Sequence, residues 1–220
     1  MNENLFDTIF RFSCFSRPLN FLSVPDLDVD EVVRLLGTRI VQTKGKAYAI
    51  AEHRDDLTDC SDRTEFFDWH SDGLYHSQPP RRVLLYCLDP GHGGVKTEVA
   101  DTDCVLSALP EEDYHVLTKL RCNYVSHEGV HSHPMVADGA LMLASRGYPT
   151  PSPSLPLEAT PSIREITKAL SSLYQTLDHY AIRQEWHQGD VLIFDQHRYL
   201  HRRTGGPVDH RRKLIRMWFN

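Results

Sequence analysis

The chain has 220 residues with a formal net charge of −6; 25% of its residues are charged, 40% are hydrophobic, and 13 are histidine. This length suits a single domain with a real core, and so balanced a composition excludes wholesale disorder. The acidic balance argues against a nucleic-acid polyanion as partner, and the longest apolar runs, VLLYCL and VLIF, are too short to span a bilayer.

The first residues, MNENLFDTIFRFSCF, carry neither a basic stretch nor the apolar segment of a secretory signal. Five cysteines (Cys14, Cys60, Cys87, Cys104 and Cys122) form no CxxC pair and are odd in number, so a disulfide framework is not expected. Both features predict a cytoplasmic, reducing setting. Residues 1–60 read as a short N-terminal extension ahead of a core over 61–220, all within one domain. A helix is predicted near 28–36, with Asp28 and Glu31 spaced as a capping box and Gly37 as its stop. RIVQT and AYAIA then read as short strands.

RVLLYCL (82–88) reads as a buried strand, DPGHGG as a turn, and 97–101 as another strand. Over 108–121 the acidic start and basic end match a helix macrodipole. PTPSPSLP (149–156) is predicted to be an exposed proline-serine loop. Apolar residues at Ile163, Ile166, Leu170, Leu173, Tyr174 and Leu177 make 162–180 the clearest amphipathic helix, opened by a Ser162-x-x-Glu165 box. AIRQEW, VLIF (191–194) and KLIRMWF (213–219) return to strand patterns. Many short strands with few helices point to a mainly β fold with flanking helices, a sandwich or jelly roll.

The chemistry concentrates in FFDWHSDG (66–73). His70 and Asp72 are one residue apart, so on a strand or its exit they face one side. They form two thirds of a two-histidine, one-carboxylate triad, which leaves three cis positions of an octahedral iron(II) open. A lone HxD also occurs by chance in surface loops, so a distant second histidine is needed. GDVLIFDQHRYLHRRTGG (189–206) offers His197 and His201. Arg212 and Arg216 follow in RKLIRMWF; buried arginines there would need an anionic ligand. Their plainer reading is a pair of surface cations on an edge strand, with Leu214 and Trp218 alternating beside them.

WHSDG, GGVKTEVADT, GDVLIFDQHRYLH and RKLIR, in this order over residues 66–219, resemble the taurine dioxygenase-like and clavaminate synthase-like iron(II)/2-oxoglutarate oxygenases. The resemblance implies a double-stranded β-helix, the jelly-roll, cupin-like barrel. It implies His70, Asp72 and His201 as iron ligands. Thr97 matches the threonine that contacts the far carboxylate of 2-oxoglutarate, although GGVKT is one residue longer than the usual GGxT. Arg212 matches the arginine that pairs with that carboxylate, and Arg216 a second arginine near the metal-side carboxylate or the substrate. Asp195-Gln196 stands where the family often has Asp-Asn.

The implied enzyme is a dioxygenase using Fe(II), 2-oxoglutarate and O2 on a small-molecule substrate, with no nucleic-acid or membrane partner. It would oxidise, foremost hydroxylate, a carboxylate-bearing molecule such as an amino acid or derivative, releasing succinate. Asp72 disfavours halogenation, whose catalysts lack that carboxylate. Desaturation, cyclisation, a sulfonate substrate, or a non-catalytic jelly roll that binds a metal or ligand are the competing readings. Three other histidine arrangements carry less: His127, His131 and His133 include a cupin-like HxH without its later partners, His197 and His201 lack the glutamate of HExxH, and His92 sits in a glycine turn without a P-loop ending.

Overall fold

The computed structural model of the protein describes residues 19–42, 45–52, 66–126, 129–145, 147–206, 209 and 211–220. Cys14, Cys60 and His127 lie outside them. In chain order the first elements are β1 (Leu19–Ser23), α1 (Val29–Leu36), β2 (Ile40–Val41), β3 (Ala49–Glu52), β4 (Phe67–His70), β5 (Arg82–Asp89) and β6 (Thr97–Asp101). Next come α2 (Thr102–Ala108), α3 (Glu111–Thr118), β7 (Leu120–Ser126), β8 (Gly129–Pro134), β9 (Val136–Ala137), β10 (Ala140–Leu141) and β11 (Tyr148–Pro151). The chain closes with α4 (Ile163–His179), β12 (Ile182–Gln184), β13 (Asp190–Asp195), β14 (Tyr199–Arg203) and β15 (Lys213–Phe219).

Two antiparallel sheets form the body, a mainly β jelly roll with flanking helices. The larger runs β1-β13-β5-β15-β2, with β3 also on β15; the smaller runs β12-β6-β14-β4. VLLYCL is apolar without alternation because both faces of its strand are covered. Val83, Leu85 and Cys87 face the smaller sheet together with Leu192, Phe194, Leu214 and Trp218. Leu84 and Tyr86 face the other way, packing with Ile215, Met217 and Phe219 against Val32 and Leu36 of α1. Behind the smaller sheet, Trp69, Ala100 and Leu200 pack against Leu117, Leu173 and Leu177 of α3 and α4. Each fully buried leucine in these layers contributes about 1.5–3 kcal/mol of transfer free energy.

Most predicted elements appear. Asp28 accepts from the Glu31 N–H, and Gly37 ends α1 at φ 51. Ser162 and Glu165 form the complete capping box of α4. Several features differ from the sequence reading. The helix expected over 108–121 begins only at Glu111, because Leu109 is extended (ψ 146) ahead of Pro110. A separate helix, α2, precedes it, capped by the Asp101 side chain, which accepts from the Asp103 and Cys104 N–H groups. The chain from Leu120 onward is strand, paired with β8 and β11.

The proline-serine loop begins as strand. Tyr148–Pro151 is the edge of a three-stranded sheet, a place that tolerates prolines with no N–H to offer. Finally, β1, β2 and β3 belong to the larger sheet, so these strands are built into the body. With β5 on one side and β2 and β3 on the other, β15 is an interior strand. The reading of Arg212 and Arg216 as edge-strand surface cations therefore fails.

Candidate metal centre

His70 ends β4, and His201 lies directly opposite it on β14; their ring centroids are 4.0 Å apart. Strand alternation sends their neighbours Trp69 and Leu200 to the helical layer and turns both imidazoles toward the larger sheet. Asp72 lies just past β4, on a turn that Gly73 makes possible. Gly73 has φ +70, and a Cβ there would meet Pro80 Cδ at 2.5 Å. The three side chains are almost wholly buried.

His70 Nε2 stands 3.5 Å from Asp72 Oδ1, and His201 Nε2 stands 3.8 Å from Asp72 Oδ2. Cis ligands about 2.1 Å from a divalent first-row ion lie about 3 Å apart, so small closures would complete the shell. Among the described residues this is the one cluster of three His, Cys, Asp or Glu side chains that could hold a metal.

Their protonation suits that role. His70 Nδ1 lies 2.7 Å from the Asp68 carbonyl oxygen, which can only accept, so Nδ1 carries a hydrogen and Nε2 is the ring nitrogen turned to Asp72. Burial, with His70 and Arg216 adding to it, pushes His201 down to about 3, so its ring is neutral. Burial alone would raise the Asp72 carboxyl; Arg216, His201 and His70 outweigh it and hold the group well below the usual carboxylate range. Two imidazoles and one carboxylate are a fitting donor set for iron(II).

Distant residues hold Asp72. Its N–H donates to Gln196 Oε1 at 2.8 Å, and Gln196 Nε2 donates to its carbonyl oxygen at 3.1 Å. Trp218 Nε1 donates to Oδ2 at 2.9 Å, and Arg216 Nη1 to Oδ1 at 3.3 Å. Arg216 and Trp218 share a face of β15, the guanidinium carbon lying 4.9 Å from the indole ring centre.

Arg212 and Thr97 stand apart from this triad. Arg212 immediately precedes β15, is 2% exposed, and its Nε has no partner. Burial and the neighbouring charge of Arg203 pull its guanidinium down to about 10, which still leaves it charged at neutral pH. Thr97, buried on β6, accepts a hydrogen bond at Oγ1 from Trp186 Nε1 at 3.0 Å, which leaves its own hydrogen to be donated.

Of the other histidines singled out by the sequence, His197 and His92 are exposed. His131 and His133 lie half-buried on β8, the latter with Nε2 2.9 Å from the Leu74 carbonyl oxygen. None of them joins the triad. Conversely, Trp186 and Trp218 gave no local signal in the sequence; their partners are 89 and 146 residues away.

A model of the taurine catabolism dioxygenase TauD, TfdA family matches residues 20–218 of the chain. A search of the curated proteins finds no match. Among solved structures, an asparagine oxygenase in complex with Fe(II), 2S,3S-3-hydroxyasparagine and succinate aligns at 17% identity with a TM-score of 0.70, over 98% of this chain and 79% of that one. A taurine dioxygenase from Burkholderia xenovorans aligns at 16% identity and TM-score 0.69, over 100% and 82%. A mutant of the non-heme iron oxygenase OrfP in complex with (3S)-hydroxy-L-Arg aligns at 18% identity and TM-score 0.67, over 99% and 80%. At these identities the likeness establishes the shared fold.

Proposed function

The chain belongs to the TauD, TfdA family of dioxygenases, and from that premise we propose that it is an Fe(II)/2-oxoglutarate-dependent dioxygenase that hydroxylates a small carboxylate-bearing substrate, an amino acid or amino-acid derivative. The observation that carries this reading is the convergence of His70, Asp72 and His201 in one buried cluster. Arg212, a buried guanidinium whose Nε has no protein partner, supports the anionic co-substrate. A non-catalytic shell has no use for that unmatched charge.

His70, Asp72 and His201 would hold iron(II), which with 2-oxoglutarate and O2 would supply the oxidising power for hydroxylation. The protein's own work is orientation and exclusion of water. Arg212 receives the far carboxylate of 2-oxoglutarate as a charge-assisted pair, and the Thr97 hydroxyl donates to the same group. Arg216, partly exposed at 18%, presents its remaining donors to a substrate anion. The hydroxyasparagine and hydroxyarginine bound by two of the aligned structures favour an amino-acid substrate. No helix among the described residues is long and apolar enough to cross a membrane, and Cys87, Cys104 and Cys122 are free thiols, in keeping with a cytoplasmic enzyme.

Anaerobic Fe(II) and 2-oxoglutarate added to the protein should give the weak visible charge-transfer band of the chelate. His70→Ala and Asp72→Ala should abolish it. With O2 present, a panel of amino acids, their peptides and sulfonates should contain a compound that stimulates succinate release. A wild-type protein with no band and no succinate would overturn the reading, and a sulfonate preference would overturn its substrate class.

A further inference from the structure

We propose that Trp218 is a positioning residue of the metal centre: its indole N–H holds Oδ2 of Asp72 and leaves Oδ1 as the single oxygen offered to the ion. This rests on the Fe(II) reading above. A carboxylate bound through both oxygens would occupy two coordination positions. Two imidazoles and such a carboxylate leave two positions free, whereas a co-substrate that chelates with two atoms, together with O2, needs three. Some feature of the protein must therefore keep Asp72 bound through one oxygen.

Both oxygens have a donor in the structure, and the two donors differ in kind. Trp218 Nε1 reaches Oδ2 at 2.9 Å, whereas Arg216 Nη1 reaches Oδ1 only at 3.3 Å. Trp218 is 2% exposed, sits on the interior strand β15, and packs in the inter-sheet core with Leu214 and Phe194. Its ring is further bounded by Tyr75 and His76, each with a centroid at 6.0 Å. An indole N–H can only donate, and buried without a partner it would be costly, so the bond to Oδ2 persists. Arg216 is longer, more flexible and partly exposed, and can withdraw. Oδ1 lies 3.5 Å from His70 Nε2, closer than Oδ2 lies to His201 Nε2, at 3.8 Å. The rigid donor therefore reserves one oxygen and the movable donor releases the other.

Mn(II) is the probe, because its bound waters are counted by the relaxation of solvent protons. Two replacements remove the donor: Trp218→Phe, and β-(3-benzothienyl)alanine at position 218, which keeps the shape of indole with sulfur in place of N–H. Mn(II) on the wild-type protein should show relaxivity for about three exchangeable waters, and both replacements should lower it by about a third. A purely structural tryptophan would move the melting temperature and leave relaxivity unchanged. Unchanged relaxivity in the benzothienyl protein overturns the inference, and that protein decides the matter if Trp218→Phe does not fold. A wild-type protein that binds no Mn(II) would sink the metal-centre reading and this inference together; bound Mn(II) with unaltered relaxivity in the variants would sink this inference alone.

Discussion

Gln196 grips Asp72 by its backbone rather than its side chain: the amide accepts from the Asp72 N–H at 2.8 Å and donates to the Asp72 carbonyl oxygen at 3.1 Å. The same Nε2 also donates to the Pro80 carbonyl oxygen, so one buried amide closes both ends of the 72–80 turn. Gln196→Ala leaves an N–H and two carbonyls unmatched in the interior. Leaving a buried polar group unsatisfied costs about 1–3 kcal/mol, and loss of a group that orients a ligand typically lowers metal affinity by about 10–100-fold. Urea unfolding of the metal-free protein and titration with Mn(II) measure the two effects separately. Loss of stability with unchanged Mn(II) affinity would show that the turn finds its ligand geometry without Gln196.

Arg212 sets stability against function. Its Nε is buried and unpaired, and its charge lies close to that of Arg203. Replacing a buried charge by an apolar side chain of similar size is often neutral or stabilising. Arg212→Met is therefore expected to stabilise the metal-free protein by about 1 kcal/mol, raising its melting temperature by about 2–4 °C. The same change removes the partner of the co-substrate carboxylate. Losing a buried charge pair costs about 3 kcal/mol, so 2-oxoglutarate affinity should fall about 100-fold. Calorimetry and 2-oxoglutarate titration of the Fe(II)-loaded protein read the two arms. A variant that is less stable than wild type would mean that the guanidinium is already satisfied.

How much of this was legible in the sequence depends on whether a signal was local. Residues 83–88 are readable as a strand because their apolar character is continuous and covered on both faces, and 213–219 because apolar residues surround the single interior charge of Arg216. His70 and Asp72 are readable as a pair because a strand puts alternate residues on one side. The break at Leu109-Pro110 was also written in the chain, but the charge pattern over 108–121 masked it. What no window reveals is tertiary placement: β15 looks like an edge until β2 and β3 pair with it, and the packing of Leu214 and Trp218 in the inter-sheet core is what turns Arg212 and Arg216 inward. The indole of Trp218 beside Asp72 and that of Trp186 on Thr97 arise only from tertiary contact. The ligands were thus visible as a motif, and the groups that hold them were not.

Gly73 and Gly94 separate strain from collision. Both have positive φ, +70 and +62, but a Cβ at Gly94 meets nothing within 4 Å, whereas at Gly73 it meets the Pro80 ring at 2.5 Å. An L-residue in the left-handed region costs about 1–2 kcal/mol, and Gly94→Ala should lose that much stability with Mn(II) affinity intact. Gly73→Ala must in addition displace Pro80 or the adjacent Asp72. It should lose more stability and about tenfold or more in Mn(II) affinity, as expected when the support of a ligand is disturbed. Equal effects of the two substitutions on Mn(II) binding would sink this account.

Glu98 braces β14, the strand that carries His201. It is fully buried on β6, accepts from Arg202 Nε at 2.5 Å and from Arg183 Nε at 2.7 Å, and Arg202 stacks 4.5 Å from the Trp69 ring centre. Burial would raise its carboxyl, but the hydrogen bonds from Arg202 and Arg183 outweigh that and hold it below the ordinary value. The unfolded chain, with an ordinary value of about 4.3, therefore binds this proton more tightly than the folded one. It follows that the contribution of Glu98 is fully present above pH about 4.3 and is lost as pH falls through the depressed folded value. Glu98→Gln gives up that contribution at every pH. The wild-type protein should exceed the variant by about 1–3 kcal/mol at neutral pH, in urea unfolding of the metal-free form, and the gap should narrow progressively below pH about 4. A gap that stays constant down to the acid limit of folding would mean that Glu98 contributes through shape and not through charge.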